Sequence, residues 1–180
     1  MKNHIDLSRF PFFSGLPEQA LKKVETFSTL ESYEKGDIVF QNNDPAENLY
    51  GLVSGTIDLS ILFKEEIVTR KIKYEEYITT QVEVLEKPVI FEQVKDRDIF
   101  GWSALVAPEK MTATARCTSD CDVVHIPSPE LKQAFSTDPE LGYILSSRLN
   151  ALIARRLNNR TQSLVEAWCA LFEAGEIERV

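Results

Sequence analysis

The amino-acid sequence predicts a mainly β protein, namely an antiparallel β-roll of jelly-roll type with an N-terminal helix and a long C-terminal helix. Short β-like segments, such as residues 56–63 with their alternating apolar and polar side chains, recur between turn-forming Gly, Asn, Asp and Pro residues. This spacing is typical of antiparallel sheets. After residue 138 the apolar residues recur at helical spacing instead. We therefore expect residues 1–136 to form the roll and residues 137–180 to form the long helix and a tail.

Composition limits the size and the partners of the protein. The chain has 180 residues, of which 43% are hydrophobic, a formal net charge of −8 and a pI near 4.9. This length predicts one well-packed domain. The negative charge argues against direct DNA binding, since affinity for a phosphate backbone comes largely from Lys and Arg. The sequence has no signal-peptide pattern and no apolar run of about 20 residues, so we expect a cytoplasmic protein without a membrane segment.

The roll should begin with a helix and continue as short strands. Pro17-Glu18 opens a pattern in which Leu21, Val24 and Phe27 share one helical face. Turn-forming residues then separate segments that are rich in β-branched and apolar residues. The strands are predicted at residues 36–40, 49–53, 56–63, 112–117 and 121–126.

Residues 64–93 are β-like but highly charged, and they predict an enlarged hairpin. We expect turns at Glu65-Glu66 and at Glu86-Lys87-Pro88. The charges fit a solvated face that protects an edge strand from aggregation. The alternative is a surface on which a protein partner docks.

Two helices are expected after the roll, because Ser128-Pro129-Glu130 and Asp138-Pro139-Glu140 each place a capping residue, a proline and an acid in helix-starting order. The second helix could extend to Ala174, with Gly175 as its C-cap, over about 54 Å. A helix that outreaches its own domain favours a homodimer. The stripe predicted to face the partner subunit contains Leu145, Leu149, Leu152, Leu157, Leu164 and Trp168. In the alternative, the helix breaks at Asn158-Asn159 and folds back on the roll.

The stretch Asp98–Leu105, with Thr112–Arg116 after it, is the candidate ligand site. Gly101 separates the strand-like Ile99-Phe100 from the helix-like Ser103-Ala104-Leu105. Such a turn points backbone N–H groups at one small volume, which suits an anionic or polar ligand. The alternative is plain core packing.

With these elements in place, the chain resembles the cyclic-nucleotide-binding domain of the catabolite activator (Crp/Fnr) superfamily over nearly its whole length. The opening turn and strand of that family resemble Gly36–Tyr50, and its Ser-Gly turn resembles Ser54-Gly55. Asn43 stands where the family usually has glycine, and asparagine tolerates the left-handed backbone of such a turn. The phosphate-binding cassette of the family resembles residues 100–114.

The resemblance implies a ligand pocket at this cassette, with two departures from the family pattern. Trp102 replaces the glutamate that holds the ribose hydroxyl, and Met111 replaces the arginine that pairs with the cyclic phosphate. Losing both anchors should cost about 4 kcal/mol of binding free energy, roughly a thousandfold in affinity. Lys110 could supply a positive charge instead, as a point charge. Trp102 would either fill the pocket itself or stack on a ligand.

The resemblance also implies which residues surround the pocket. On the cassette these are Phe100, Gly101, Trp102, Ser103, Ala104, Leu105, Lys110, Met111, Thr112, Ala113 and Thr114, and on the long helix Arg160 and Thr161 would close it. The family's dimerisation helix resembles Asp138–Leu141 and Ala154–Leu157, and in the family it leads into a helix-turn-helix domain. Because the sequence ends at Val180, we expect a stand-alone form without that domain.

The expected function is a non-catalytic sensor or regulatory domain that signals through protein partners and does not bind cyclic AMP in the usual way. The alternative is a genuine cyclic AMP or cyclic GMP receptor that uses Lys110 and backbone donors. No enzyme is expected, since His4 and His125 stand in no recognisable nucleophile–base pattern. No metal or cofactor is expected either, because the three cysteines lack paired spacing. A haem-sensing role would need one of these histidines or cysteines as an axial ligand.

Overall fold

The computed structural model describes residues 5–74 and 77–173, with the side chains of residues 5–64 and 85–172. In this part of the chain, eight strands form two antiparallel sheets of four strands each. The strands are β1 (Thr29–Tyr33), β2 (Ile38–Phe40), β3 (Asn48–Ser54), β4 (Ile57–Tyr74), β5 (Tyr77–Val94), β6 (Ile99–Phe100), β7 (Thr114–Cys117) and β8 (Cys121–Pro127). The helices are α1 (Glu18–Phe27), α2 (Ser128–Thr137) and α3 (Pro139–Glu173), with 3-10 helices at Leu7–Arg9 and Trp102–Leu105.

The predicted roll with an N-terminal helix and a long C-terminal helix is confirmed. One sheet has the strand order β1-β8-β3-β6, and the other has the order β2-β7-β4-β5. Strand β1 was not predicted, because only Leu30 and Tyr33 are half-buried and the strand has no clear alternation. It is held in place by pairing with β8, from Thr29 opposite His125 to Tyr33 opposite Cys121.

Strands β4 and β5 form a long hairpin that extends beyond the sheet. Strand β7 pairs with β4 only along residues 57–60, so the rest of the hairpin is a two-stranded ribbon. The predicted turns at Glu65-Glu66 and Glu86-Lys87-Pro88 are wrong, because these residues lie within the paired strands. Clustered charges and a proline look like a turn in the sequence, but an edge strand such as β5 tolerates both. The residues that join the strands, 75–76, lie outside the described residues.

Two clusters of buried side chains form the core. One lies inside the roll and includes Tyr50, Phe100 and Met111, with the rings of Tyr50 and Phe100 stacked at 5.2 Å between centroids. The other joins the N-terminal segment to the three helices and includes Phe13 and Leu145. The first half of α3 therefore belongs to the packed body of the protein.

Helix α3 is continuous through Asn158-Asn159, so the alternative of a break at this point is not observed. Asp138 caps its start by accepting a hydrogen bond from the backbone N–H of Leu141 at 3.0 Å. Among the residues assigned to a dimer stripe, Leu145 and Leu149 are buried in the chain's own core, and this part of the assignment is a correction. They share one core cluster with residues of the N-terminal segment, α1 and α2. Farther along, Leu157, Leu164 and Trp168 are exposed at 62%, 59% and 47%.

No helix within the described ranges combines the length and apolar character needed to cross a membrane. The left-handed backbone predicted at Asn43 is present, with φ of 71°. This position lies in the turn between β2 and β3, where the backbone N–H of Asn43 donates to the carbonyl oxygen of Met111 at 2.8 Å. The turn is thereby tied to the cassette.

Candidate functional site

The cassette is organised by a tight turn at Gly101, between β6 and the 3-10 helix that begins at Trp102. Gly101 has φ of 70°, a left-handed conformation that side chains with a Cβ rarely adopt. A Cβ atom at this position would lie 2.5 Å from Cδ2 of Tyr50. Both the backbone conformation and the close approach of the Tyr50 ring therefore require glycine.

This turn forms one wall of a cavity between the roll and α3. The lining residues are Phe40, Leu59, Gly101, Trp102, Ser103, Met111, Thr112, Ala113, Arg156 and Arg160. Only about 20 Å³ within the cavity can be occupied by the centres of water molecules. That is space for roughly one water molecule. The structure thus brings most of the predicted cassette residues and Arg160 around one small cavity.

Six predicted pocket residues do not line this cavity: Phe100, Ala104, Leu105, Lys110, Thr114 and Thr161. Phe100 and Ala104 are fully buried in the core of the roll, and Leu105 packs against the other core cluster. The hydroxyl oxygen of Thr114 accepts a hydrogen bond from the backbone N–H of Asn42 at 3.1 Å. These side chains support the cassette rather than face its cavity.

Lys110 and Thr161 are exposed. Met111 points into the core with 2% exposure, so its extended neighbour Lys110 faces solvent. The backbone of Lys110 bridges to Pro45. Thr161 donates its hydroxyl hydrogen to the carbonyl oxygen of Leu157 at 2.9 Å, within α3. In this conformation neither side chain contributes to the cavity.

The charged groups at the cavity come instead from α3 and from β5. The side chain of Arg156 is 7% exposed, and its Nη2 donates to the carbonyl oxygen of Ile99 at 2.8 Å. Its Nε lies 3.0 Å from Oε1 of Glu92, and Nη2 of Arg160 lies 4.0 Å from Oε2 of the same carboxylate. The guanidinium of Arg160 also lies 4.1 Å from the ring centroid of Phe91, which is a cation–π contact. We call Glu92, Arg156 and Arg160 the clasp.

The clasp fixes α3 against the roll. Burial lowers the pKa of Arg156, while Glu92 and Asp98 act in the opposite direction. The guanidinium stays charged, because arginine ordinarily titrates far above neutral pH. Sequence reasoning missed Arg156 and Glu92, since Arg156 was noted only as part of the dimerisation helix and Glu92 only as one of many charges in the hairpin. In the sequence of α3, the clasp is indicated only by the i, i+4 spacing of Arg156 and Arg160, which places both on one face of the helix.

The other titratable groups have structural surroundings. Nε2 of His125 lies 3.0 Å from the hydroxyl oxygen of Tyr33 and 3.5 Å from Glu31, and burial lowers the pKa of this histidine. Burial likewise raises the pKa of the Cys117 thiol to about 12, which keeps it protonated. Within the described residues no group of three or more His, Cys, Asp or Glu side chains is arranged to hold a metal ion.

Solved structures with this fold include a protein of Geobacter metallireducens GS-15 that is provisionally named as a cyclic nucleotide-binding protein. It is 25% identical with a TM-score of 0.65, and the match covers 87% of this chain and 99% of that one. The N-terminal domain of a Streptomyces coelicolor A3(2) transcriptional regulator is 19% identical with a TM-score of 0.59, covering 86% and 94%. The Thermus thermophilus catabolite activator protein is 19% identical with a TM-score of 0.60, and the match covers 87% of this chain and 62% of the activator.

Sequence comparison assigns the family. No curated protein sequence matches the chain. A family profile for the cyclic nucleotide-binding domain, however, matches residues 30–138, which is more than half of the chain. This range contains the roll from β1 onward, the Gly101 turn and α2. The chain therefore belongs to the cyclic nucleotide-binding domain family, and its fold is that of the Crp/Fnr regulators.

Proposed function

We propose that this chain is a non-catalytic regulatory domain that does not bind cyclic AMP or cyclic GMP in the usual way. The observation that carries the proposal is the replacement of both cassette anchors by Trp102 and Met111, which line the cavity as apolar walls. The cations at the cavity are those of α3, and Glu92 already pairs with them. A cyclic nucleotide would therefore meet neither the carboxylate nor the arginine that the family pattern supplies from the roll.

The size of the cavity supports the same proposal. Pockets for small organic ligands usually enclose about 300–1,000 Å³. Here the side chains of Trp102, Met111 and the clasp leave room for about one water molecule. Of the two roles considered for Trp102, filling the pocket fits this geometry better than stacking on a ligand. The alternative of a receptor that relies on Lys110 is not favoured, because that side chain is exposed and does not line the cavity.

The proposed output is a change in the position of α3 within a homodimer. Leu157, Leu164 and Leu171 follow one another at seven-residue spacing and are exposed, with Trp168 beside them. A seven-residue apolar repeat is the pattern by which two helices form a common seam. Because α3 also carries two clasp residues, a shift of the helix would couple the cavity to the dimer.

A second surface fits a protein partner. The ribbon formed by β4 and β5 carries Leu62, Phe63, Val89 and Ile90, each more than half exposed. Leu62 pairs with Pro88 and Ile61 pairs with Val89, and neighbouring residues of a strand point to opposite faces, so both faces of the ribbon near its base carry exposed apolar side chains. Exposed apolar side chains grouped on one element are typical of protein interaction sites.

The test is a thermal-unfolding titration with cyclic AMP, cyclic GMP and cyclic dinucleotides. A ligand that binds only the folded state at 100 times its dissociation constant adds about 2.7 kcal/mol, or roughly 5–10 °C in melting temperature for a chain of this size. We expect no shift for the natural protein and a shift for the Trp102→Glu, Met111→Arg double variant, which restores both anchors. A shift of the natural protein at micromolar cyclic AMP would refute the proposal.

A further inference from the structure

The two arginines of the clasp leave hydrogen-bond donors unused at the cavity. Nε of Arg156 and Nε of Arg160 are both inaccessible to solvent, and neither donates a hydrogen bond to any residue that the structure describes. Nε of Arg156 is close to Glu92, at 3.0 Å, but the two groups are not aligned for a hydrogen bond. Buried donors without an acceptor are costly, so such groups normally face water or a ligand.

Hydroxyl groups complete the polar lining. Ser103 is buried, Thr112 is exposed, and both line the cavity. Neither hydroxyl has a hydrogen-bond partner in the part of the chain that the structure describes. The cavity therefore offers donors from two elements, the 3-10 helix with its adjoining loop on one side and α3 on the other.

Among the described residues, the charged groups of and around the clasp sum to an excess of one positive charge. Arg156 and Arg160 face the carboxylate of Glu92, while Arg155 and Asp98 act on Arg156 with opposite signs. A planar guanidinium binds carboxylates with two parallel hydrogen bonds, a geometry that a lysine cannot provide. The small volume excludes a bulky ligand unless α3 moves.

From these observations, and resting on the proposed function, we propose that Arg156 and Arg160 form a binding site for a small carboxylate anion. Without the anion, the carboxylate of the chain's own Glu92 occupies this site. An entering carboxylate competes with Glu92 for the two guanidinium groups. Because Glu92 is tethered beside them, its effective concentration is high and the natural protein binds free carboxylates weakly. Binding of the anion releases Glu92 and loosens the contact between β5 and α3.

Acetate is the probe of choice, because Glu92→Ala removes the CH2–COO⁻ fragment that acetate replaces. The melting temperature is measured in sodium acetate and in sodium chloride at equal ionic strength for the natural protein and for this variant. We expect the variant to gain stability in acetate at a midpoint at least tenfold lower than the natural protein. The matched control is Glu86→Ala, which removes the same fragment from the same strand at an exposed pair with Lys64, and acetate should not rescue it.

The arginines are tested by adding Arg160→Gln to the Glu92→Ala variant, since Arg160 is partly exposed and its loss spares the core. We expect the acetate response to fall at least tenfold. Binding of the anion at the cavity should quench or shift the fluorescence emission of Trp102. The Trp102→Phe variant should lack this change. Equal responses of Glu92→Ala to acetate and chloride, or a response that survives Arg160→Gln, would overturn the inference. Neither outcome affects the proposed function. The proposed function fails only if the natural protein binds cyclic nucleotides.

Discussion

Replacing Arg156 with methionine should destabilise the protein although the new side chain is of similar length. Arg156 is almost fully buried, donates to the carbonyl oxygen of Ile99 and pairs with Glu92 at 3.0 Å. Removing one partner of a buried ion pair typically costs about 3–5 kcal/mol, because the other charge is left without compensation. Glu92 retains 24% side-chain exposure and a 4.0 Å contact with Arg160. We therefore expect a loss of about 2–3 kcal/mol, somewhat below that range.

The loss is measured by urea unfolding at a fixed protein concentration, because the proposed dimerisation would make apparent stability depend on concentration. For a chain of this length it corresponds to roughly 5–10 °C in melting temperature. The matched control is Arg155→Met on the same turn of α3, where the side chain is exposed. That substitution should change the free energy of unfolding by no more than about 0.5 kcal/mol.

A double-mutant cycle with Glu92→Gln separates the ion pair from the loss of packing. If the clasp stabilises the docked helix, the two substitutions together should cost at least about 1 kcal/mol less than the sum of the single losses. Additive effects, or a loss for Arg156→Met no larger than that for Arg155→Met, would show that the contact between α3 and β5 contributes nothing to stability.

Three further predictions concern the turn, the dimer and pH. Gly101→Ala should lower the free energy of unfolding by about 2–4 kcal/mol in urea, since the Cβ meets Tyr50 and the backbone is left-handed; an unchanged midpoint would contradict this. Leu157→Asp should shift the proposed dimer to monomer in sedimentation experiments, whereas Val165→Asp, at an exposed site off the seven-residue repeat, should not. Burial lowers the pKa of folded His125, so its contribution to stability is present above about pH 6.5 and is lost as the pH falls below that value. The urea midpoint should accordingly fall less between pH 7 and pH 5 in His125→Gln.

The sequence predicts the roll well because its signals are local. Turn residues and alternating side chains define most strands, and Asn43 has the left-handed backbone expected of it. The Pro139 helix start and the helical spacing after it predict α3, which is helical from Pro139 to Glu173, the last described residue. The predicted cap at Gly175 lies outside the described residues. The turn predicted at Glu65-Glu66 is wrong because it too rests on a local signal. A charge cluster is typical of a turn, but here cross-strand pairing keeps the segment extended.

The clasp is not predictable in this way, because its members come from distant parts of the chain. Glu92 and Arg156 meet only after the β5 ribbon and α3 have docked on the same side of the roll. A single sequence contains many acids and arginines, and periodicity gives the face of a helix but not what that face will contact. Similarly, Leu145 is buried in a cluster whose other members include residues of the N-terminal segment, α1 and α2. The heptad-like spacing alone does not distinguish a chain's own core from a partner's surface.

Moving the cations from the roll to α3 changes what a ligand could control. An arginine on the roll, as in the family pattern, can hold an anion whatever the position of the helix. Arg156 and Arg160 lie on α3 instead, so anion binding and the contact of α3 with β5 use the same guanidinium groups. Glu92 competes for those groups from β5. An anion that displaces Glu92 therefore replaces a contact between the roll and the helix with its own contact to the helix. On the proposed scheme the effector therefore loosens α3 from β5, and the size of its effect cannot exceed the difference in its affinity for the two helix positions.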